Sequence, residues 1–200
     1  MLRPLLVCHA MACASAFIIV TPQPKVQTTP RNAARPPKMA IGAACGATWI
    51  AGTVSMGALP AVFVVQNLEP WYASLKKPPW SPPNNIFAPV WSTLYALIGF
   101  SCARTLGPRL AIAPQPALAV YLVQAVLNLS WAPIFFGAHR LRLAFFVSCA
   151  LLASAGVMAI EFAKASGMLS AGLLAPYLAW LTFATALNFR LWQLNGPHPA

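Results

Sequence analysis

Five long apolar runs constrain what this chain can fold into more than any other feature of its sequence. Their approximate ranges are 41–66, 85–106, 117–136, 143–162 and 169–191. As helices rising about 1.5 Å per residue, they can each cross a hydrocarbon core of about 30 Å. Only 8% of the residues are charged, against about a quarter in a soluble domain. The sequence therefore predicts an all-α integral membrane bundle of five transmembrane helices within residues 41–200.

The charge balance of the chain is strongly basic. The formal net charge is +11, and the only acids are Glu69 and Glu161. Scattered bases between apolar runs are typical of helix caps that lie near anionic lipid head groups. Nucleic-acid binding requires a clustered basic face. We therefore expect a membrane-embedded protein without a nucleic-acid partner, and the balance of bases on the two sides gives no orientation.

Neither the cysteines nor the histidines have the spacing of a metal site or a catalytic triad. The cysteines lie far apart and mostly within apolar runs, where buried, inert thiols are the expected state. They are Cys8, Cys13, Cys45, Cys102 and Cys149. No pair of carboxylates is available for general acid–base chemistry. The sequence favours a binding protein over an enzyme, with no metal and no required cofactor.

Residues 1–40 differ in composition from the rest of the chain. A short apolar stretch ends at Ala14-Ser15-Ala16-Phe17, and residues 21–40 are rich in Pro, Thr, Arg and Lys without an acid. A signal peptide followed by transit-peptide composition indicates a targeting leader. The pair resembles the bipartite plastid leaders of algae with secondary plastids. A multi-pass organelle membrane is therefore expected, that of a plastid through this leader. An unprocessed disordered tail, a mitochondrial presequence or outer-membrane location, and the ER remain alternatives.

The segment between the first two spans combines prolines with large aromatic rings. It holds Trp71, Tyr72 and Trp80, together with Pro78, Pro79, Pro82 and Pro83. Proline fixes φ and donates no backbone hydrogen bond, so this segment is neither a continuous helix nor a central strand. A stiff, largely extended loop is expected, which would act as a lid over an apolar site.

Three of the spans have a face that combines aromatic and amide side chains. Residues separated by three, four or seven positions share one side of a helix. Amides in hydrocarbon must be paired, so these faces should point into the bundle. Small Ala184 leaves room for a flat group between bulky neighbours. The three faces are Phe87, Trp91 and Tyr95; Gln124, Asn128 and Trp131; and Tyr177, Trp180, Ala184, Leu187 and Asn188.

Shorter patterns give further expectations. Gly42 and Gly46 form a GxxxG face, which favours close packing of span one against a helix of the same chain, with dimerisation as the alternative. Pro60 should kink span one. Glu161 and Lys164 are spaced to pair at the end of span four, which is otherwise nearly featureless.

Four blocks in order resemble the translocator protein family, also called the tryptophan-rich sensory protein or peripheral benzodiazepine receptor family. The resemblance covers about residues 71–195 and is specific because the blocks occur together, whereas span one matches only loosely. The blocks are Trp71-Tyr72-Ala73-Ser74-Leu75-Lys76-Lys77-Pro78 with Trp80 and Pro82-Pro83; Ala88-Pro89-Val90-Trp91-Ser92-Thr93-Leu94-Tyr95; Leu127-Asn128 with Trp131 and Pro133-Ile134-Phe135-Phe136-Gly137; and Pro176-Tyr177-Leu178-Ala179-Trp180 with Ala186-Leu187-Asn188.

The resemblance implies a five-helix bundle, often a homodimer, with a pocket closed by the first loop and a porphyrin, protoporphyrin IX or heme, as ligand. Lys76, Lys77 or Arg140 would meet the porphyrin propionates, and Trp80 would lie in the lid. Trp91 and Trp180 match tryptophans implicated in light-dependent porphyrin breakdown in bacterial relatives. The other family positions that line the pocket correspond to Asn128, Trp131, Leu187 and Asn188.

The expected function is tetrapyrrole binding in porphyrin scavenging, transport or stress sensing. Light-dependent porphyrin degradation and a sterol or lipid carrier are the alternatives. The family's sterol-recognition stretch requires a Tyr before a base, but here it reads Leu187-Asn188-Phe189-Arg190. The missing hydroxyl weakens the expectation of sterol binding at that stretch.

Overall fold

The computed structural model describes the backbone of residues 38–69, 71–107 and 116–196, and the side chains from residue 44 onward. Within these ranges the chain is mainly helical and has no strands. Five helical segments are long and apolar enough to cross a membrane, which confirms the predicted fold class. The helices are α1 (Lys38–Ala58), α2 (Ala61–Asn67), α3 (Phe87–Thr105), α4 (Pro116–Ala132), α5 (Leu141–Ser166), α6 (Met168–Gly172) and α7 (Ala175–Asn195).

The predicted leader, residues 1–40, lies outside the described residues except for the backbone of its last three residues. For Gly42 of the GxxxG face, the structure describes only the helical backbone. Met39–Ala200 form one compact unit. The structure is therefore described from α1 onward, and the leader stays a prediction.

Two spans are interrupted by a break in the helix. Span one changes from α1 to α2 at Leu59–Pro60, which confirms the kink expected at Pro60 because proline has no N–H to continue the ladder. Span five is divided as well, into α6 and α7, with Pro176 in the first turn of α7. The sequence prediction of one uninterrupted helix over residues 169–191 missed this second break.

Span three ends in a wide helical turn, Pro133–Gly137, in place of a sharp stop. The N–H of Ala138 donates to the Pro133 carbonyl at 2.8 Å, five residues earlier. A wide turn of this kind rotates successive side chains, and here Phe135 and Phe136 are both buried. Helical structure therefore continues beyond Ala132 as far as Gly137.

The bundle packs around α5, which lies along α4 and α7. One apolar cluster includes Ile98 of α3, Met158 of α5 and Leu181 of α7. A second cluster, nearer the first loop, joins Tyr72 to Phe136 and Leu191. Large side chains that face outward are apolar, as expected for contact with hydrocarbon. They include Leu122, Val126, Phe146, Val157 and Ile160.

Helix α1 is mostly exposed but lies very close to α3 at one point. A Cβ added at Gly99 would lie 2.6 Å from the Ile50 Cα and 2.9 Å from the Trp49 carbonyl oxygen. Only glycine permits this approach of two backbones. The close contact within one chain therefore involves Gly99 of α3, whereas Gly46 has open space where its side chain would be.

The first loop confirms the predicted stiff, non-helical connection. It contains two single 3₁₀ turns, Tyr72–Ser74 and Asn84–Ile86, with extended backbone at Pro83 before the second. Trp71 stacks on His139 with ring centroids 4.1 Å apart. The loop is therefore packed onto the turn that follows span three.

Candidate ligand-binding cavity

A cavity of about 490 Å³ lies inside the bundle, bounded by the two halves of span one, by α3, α4, α5 and α7, and by the first loop. Its lining residues are mostly aliphatic and aromatic, and no charged side chain occurs among those that the structure describes. Its volume falls within the range of small-molecule sites, about 300–1,000 Å³. The cavity therefore suits an apolar ligand with few polar groups.

Two indole rings form its aromatic walls. Trp91 of α3 stacks on Tyr95 with ring centroids 5.4 Å apart and an interplanar angle of 29°. Trp131 of α4 stacks on Phe135 at 4.8 Å and 20°. All four rings line the cavity. Offset stacks of this kind hold the rings in fixed planes, which would present flat faces to a flat ligand.

A buried hydrogen-bond network closes the end of the cavity away from the first loop. The Tyr95 hydroxyl donates to Asn128 Oδ1 at 2.7 Å, and Asn128 Nδ2 donates to the Tyr177 hydroxyl at 3.1 Å. Gln124 Nε2 also donates to the Tyr177 hydroxyl. Asn128 lines the cavity, while Gln124 and Tyr177 are packed behind it. Pairing these amides and phenols removes the cost of burying them and fixes the ring of Tyr95.

Helix α7 supplies Ala184, Leu187 and Asn188 to the opposite wall. Asn188 Nδ2 donates to the Ser148 Oγ of α5 at 3.2 Å. Ala184 carries only a methyl group where its neighbours are bulky, so the wall is recessed at that position. The small residue thus stands where the sequence predicted room for a flat group.

Two polar atoms at the cavity wall have no hydrogen-bond partner in the described part of the protein. They are Asn188 Oδ1, an acceptor, and Trp131 Nε1, a donor. Buried polar groups are almost always paired, and an unpaired one needs an explanation. Both residues line the cavity, so these two atoms are unpaired polar groups of its wall.

The structure brings most of the predicted site residues to the cavity. Trp91, Tyr95, Asn128, Trp131, Ala184, Leu187 and Asn188 line it. Gln124 and Tyr177 do not, but they orient Asn128 from behind. Trp180 is also absent from the lining; it packs on Phe87 at 5.8 Å and on Phe183 at 5.2 Å.

Trp80 does not have the lid position expected from the sequence. Its side chain is 45% exposed and packs edge-on against Phe183, outside the cavity lining. Leu68, Tyr72 and Asn84 are the residues between the first two spans that line the cavity. The loop therefore closes the site through Tyr72, since the hydrogen-bonded 3₁₀ turn at Tyr72–Ser74 directs this ring inward.

Sequence reasoning missed several lining residues. Phe135 and Phe136 lie in the last turn of the predicted span, and their inward orientation depends on the wide turn at Pro133–Gly137. Ser148 is one of two serines in span four; the other, Ser154, donates to the Leu151 carbonyl of its own helix. Gly57 lies directly against the ring of Tyr95, so it has no room for a side chain. A polar residue within an apolar span is the sequence signal that could have indicated a lining position, and among these residues only Ser148 has it.

Positive charge lies beside the cavity entrance, outside its lining. Lys77 Nζ lies 4.4 Å from the ring centroid of Tyr72, a cation–π distance. Burial raises the pKa of the Tyr72 phenol, so this hydroxyl remains neutral at physiological pH. Arg140 and Lys76 are exposed and do not line the cavity. Of Lys76, Lys77 and Arg140, Lys77 is therefore the one whose ammonium lies against a lining residue, Tyr72.

Metal-ligating side chains do not gather anywhere in the described ranges: no three His, Cys, Asp or Glu residues lie close enough to hold an ion. The contacts that the cavity offers are apolar surface, ring faces and neutral hydrogen-bonding groups.

Comparison with known proteins gives consistent matches. The model of the TspO/MBR family matches residues 47–193, which include every residue of the cavity lining. The translocator protein of Ovis aries is 47% identical over 131 residues, covering 62% of this chain and 75% of the ovine protein. Protein CrtK of Rhodobacter capsulatus is 41% identical over 152 residues, covering 74% and 91%. The human translocator protein is 40% identical over 128 residues, covering 62% and 75%.

Proposed function

Because the chain belongs to the TspO/MBR family, we propose that its cavity binds a tetrapyrrole, protoporphyrin IX or heme. In this proposal the protein serves porphyrin scavenging, transport or stress sensing in a multi-pass organelle membrane. The tetrapyrrole is a ligand of the cavity and not a resident cofactor.

The observation that carries this proposal is the convergence of Trp91, Trp131 and Asn128 on one apolar cavity of about 490 Å³. A porphyrin is a flat, apolar macrocycle whose two propionates lie on one edge. Stacking on indole rings suits its faces, and Lys77 beside Tyr72 suits its acidic edge. The uncharged interior suits the rest of the ring.

The affinity would come mainly from removal of apolar surface from water. At about 25 cal/mol per Å², each 100 Å² of buried ligand surface contributes roughly 2.5 kcal/mol. Part of this offsets the loss of translational and rotational freedom on binding. Stacking adds about 0.5–1.5 kcal/mol per ring pair. These magnitudes are sufficient for micromolar binding, about −8 kcal/mol.

Quenching of tryptophan fluorescence tests the proposal. Purified protein in detergent should be quenched saturably by protoporphyrin IX at micromolar concentration or below. Trp91→Phe should weaken binding several-fold, because the smaller ring stacks less well. Trp192→Phe is the matched control, since Trp192 packs on Phe145 and Phe189 outside the cavity. Quenching that rises linearly without saturation would reject the proposal.

Light-dependent porphyrin degradation is the second candidate. It is favoured by the stack of Trp91 on Tyr95, which places an oxidisable indole on a hydrogen-bonded phenol at the wall of the site. Trp180 does not line the cavity and packs on Phe87, which does. A direct role therefore favours Trp91, and loss of porphyrin absorbance should require light and slow more in Trp91→Phe than in Trp180→Phe. Equal rates in light and dark would exclude this activity.

The destination and the assembly of the protein are tested separately. A fluorescent fusion of the full chain should accumulate in plastids, and removal of residues 1–40 should abolish that targeting. A homodimer should have twice the protein mass of the chain in detergent by light scattering. Accumulation of the fusion in mitochondria or the ER would support the corresponding alternative localisation.

A further inference from the structure

The pair formed by Ser148 and Asn188 lies on the cavity wall formed by α5 and α7. Both side chains line the cavity, and they are 5% and 2% exposed, respectively. We propose that this pair is a polar subsite that binds one uncharged hydroxyl group of the ligand. The tetrapyrrole form of this inference rests on the proposed function; the subsite itself rests on the geometry of the pair.

The hydrogen bonds of the pair leave one donor and one acceptor free. Asn188 Nδ2 donates to Ser148 Oγ at 3.2 Å, whereas Asn188 Oδ1 has no partner among the described residues. Ser92 and Ser166 donate to the carbonyl four residues earlier in their helices, but the only described bond of Ser148 is the one it accepts. The Ser148 proton is therefore free to donate as well.

A hydroxyl group is the smallest ligand group that can pair with both the free acceptor and the free donor. It donates to Asn188 Oδ1 and accepts from Ser148 Oγ. Rotating the Asn188 amide by 180° exchanges its oxygen and nitrogen, and a hydroxyl still satisfies the amide in that orientation. An ether or an alkyl group would leave the buried carbonyl unpaired, which is unfavourable. The chemistry of the pair therefore selects a hydroxyl over an apolar substituent.

The surroundings of the pair exclude a charged group. None of the residues that line the described cavity is charged. Asn188 is seven residues before Asn195, the end of α7 that contacts the first loop, or about 10 Å deeper along the helix. Carboxylates would therefore remain at Lys77 near the loop, and the subsite would receive the opposite, uncharged part of the molecule.

A hydroxyl at this depth has two sources: a hydroxyalkyl substituent of a tetrapyrrole or the ring hydroxyl of a sterol. For the first source, mesoporphyrin IX and hematoporphyrin IX are a matched pair. They share both propionates and differ in bearing ethyl or hydroxyethyl groups. In a purely apolar cavity, the hydroxyls lose hydration without replacement, so mesoporphyrin would bind more tightly.

The experiment measures both affinities by fluorescence quenching in the full-length wild type, in Ser148→Ala and Asn188→Leu, and in Thr182→Val as control. Thr182 is exposed on α7, and the hydrogen bond that the structure describes for its side chain is to the Leu178 carbonyl of the same helix. We expect hematoporphyrin to bind wild type and the control about 5- to 20-fold more tightly than mesoporphyrin, and the preference to disappear or reverse in both variants. Ser148→Ala removes one atom, so it keeps the test valid if Asn188→Leu does not fold.

The sterol source has its own pair of probes. Cholesterol should raise the thermal unfolding temperature of wild type more than its analogue without the hydroxyl, and Ser148→Ala should remove the difference. A preference in one pair of ligands identifies the source of the hydroxyl. Equal affinities for the two porphyrins and equal stabilisation by the two sterols would overturn the subsite. If mesoporphyrin fails to bind saturably, the proposed function fails, while the sterol pair still decides the subsite.

Discussion

Asn195 at the end of α7 bonds the backbone of Lys76 in both directions. The Lys76 N–H donates to Asn195 Oδ1 at 2.9 Å, and Asn195 Nδ2 donates to the Lys76 carbonyl oxygen at 3.1 Å. Asn195 Nδ2 also donates to the Leu191 carbonyl at 2.7 Å. A single amide thus ties the first loop, which carries Tyr72 over the cavity, to the last transmembrane helix.

Replacing Asn195 with alanine should loosen the first loop. Two hydrogen bonds between loop and helix are lost, each with a net contribution of about 0.5–1.5 kcal/mol. We expect bound protoporphyrin to dissociate about 5- to 50-fold faster, as measured by stopped-flow fluorescence. Gln193→Ala is the control, because the one side-chain bond of Gln193 among the described residues is to Arg190 in its own helix. An unchanged dissociation rate in Asn195→Ala would show that the loop does not retain the ligand.

Gly57→Ala should disturb the cavity from the side of α1. A Cβ at Gly57 would overlap the ring of Tyr95. Because Tyr95 is held by Asn128, its ring cannot move without breaking that bond. Overpacking of this kind costs about 1–3 kcal/mol, so we expect a lower thermal unfolding temperature and weaker porphyrin binding.

Gly52→Ala is the matched control on the same helix. No atom of the described residues lies within 4 Å of the position of its added Cβ, and alanine has the higher helix propensity by about 1 kcal/mol. The unfolding temperature should stay unchanged or rise slightly. A similar loss of stability in both variants would contradict the role of the Gly57–Tyr95 contact.

Tyr177→Phe should destabilise the bundle more than the loss of one hydroxyl usually does. The Tyr177 hydroxyl accepts hydrogen bonds from both Gln124 and Asn128, and removing it leaves two buried amide donors without that acceptor. Each unsatisfied group costs about 1–3 kcal/mol. We expect a lower unfolding temperature in detergent, whereas Thr182→Ala on the exposed face of α7 should have little effect. Equal stability of the two variants would argue against the network.

Lys77→Met should weaken the binding of acidic porphyrins selectively. The side chain of Lys77 lies over Tyr72 beside the cavity entrance, and its ammonium would face the propionates. We expect a loss of affinity of about three- to tenfold that shrinks as salt is raised, because salt screens exposed charge pairs. The dimethyl ester of protoporphyrin should bind both proteins equally, and Lys76→Met serves as the control. A loss that is equal for acid and ester would contradict the ion pairing.

Much of the fold followed from residue patterns. The five apolar runs predicted five spans, Pro60 predicted the break in the first, and the spacing of Glu161 and Lys164 predicted an ion pair, which forms at 2.8 Å. These features depend on length, on a missing N–H and on helical spacing, all of which are local. Helix periodicity likewise placed Trp91 and Tyr95 on one inward face, because both depend only on the pitch of a single helix.

The misplaced residues depend on contacts between elements. The spacing of Trp180 puts it on the same face as Tyr177, yet it packs on Phe87 of another helix, and Phe87, not Trp180, lines the cavity. Trp80 was expected in the lid on the strength of its size, but the loop turns Tyr72 inward in its place. Phe135 was missed because a wide turn changes the rotation per residue.

By itself, the sequence determined that this protein lies in a membrane, how many spans it has and which faces point inward. These features follow from hydrophobic runs and helical periodicity, which act within single segments. Only the tertiary structure decided where the inward faces meet. The approach of α1 to α3 at Gly99, the Asn195–Lys76 bond and the Ser148–Asn188 pair join residues far apart in sequence. Their distances depend on helix packing, which no single segment encodes.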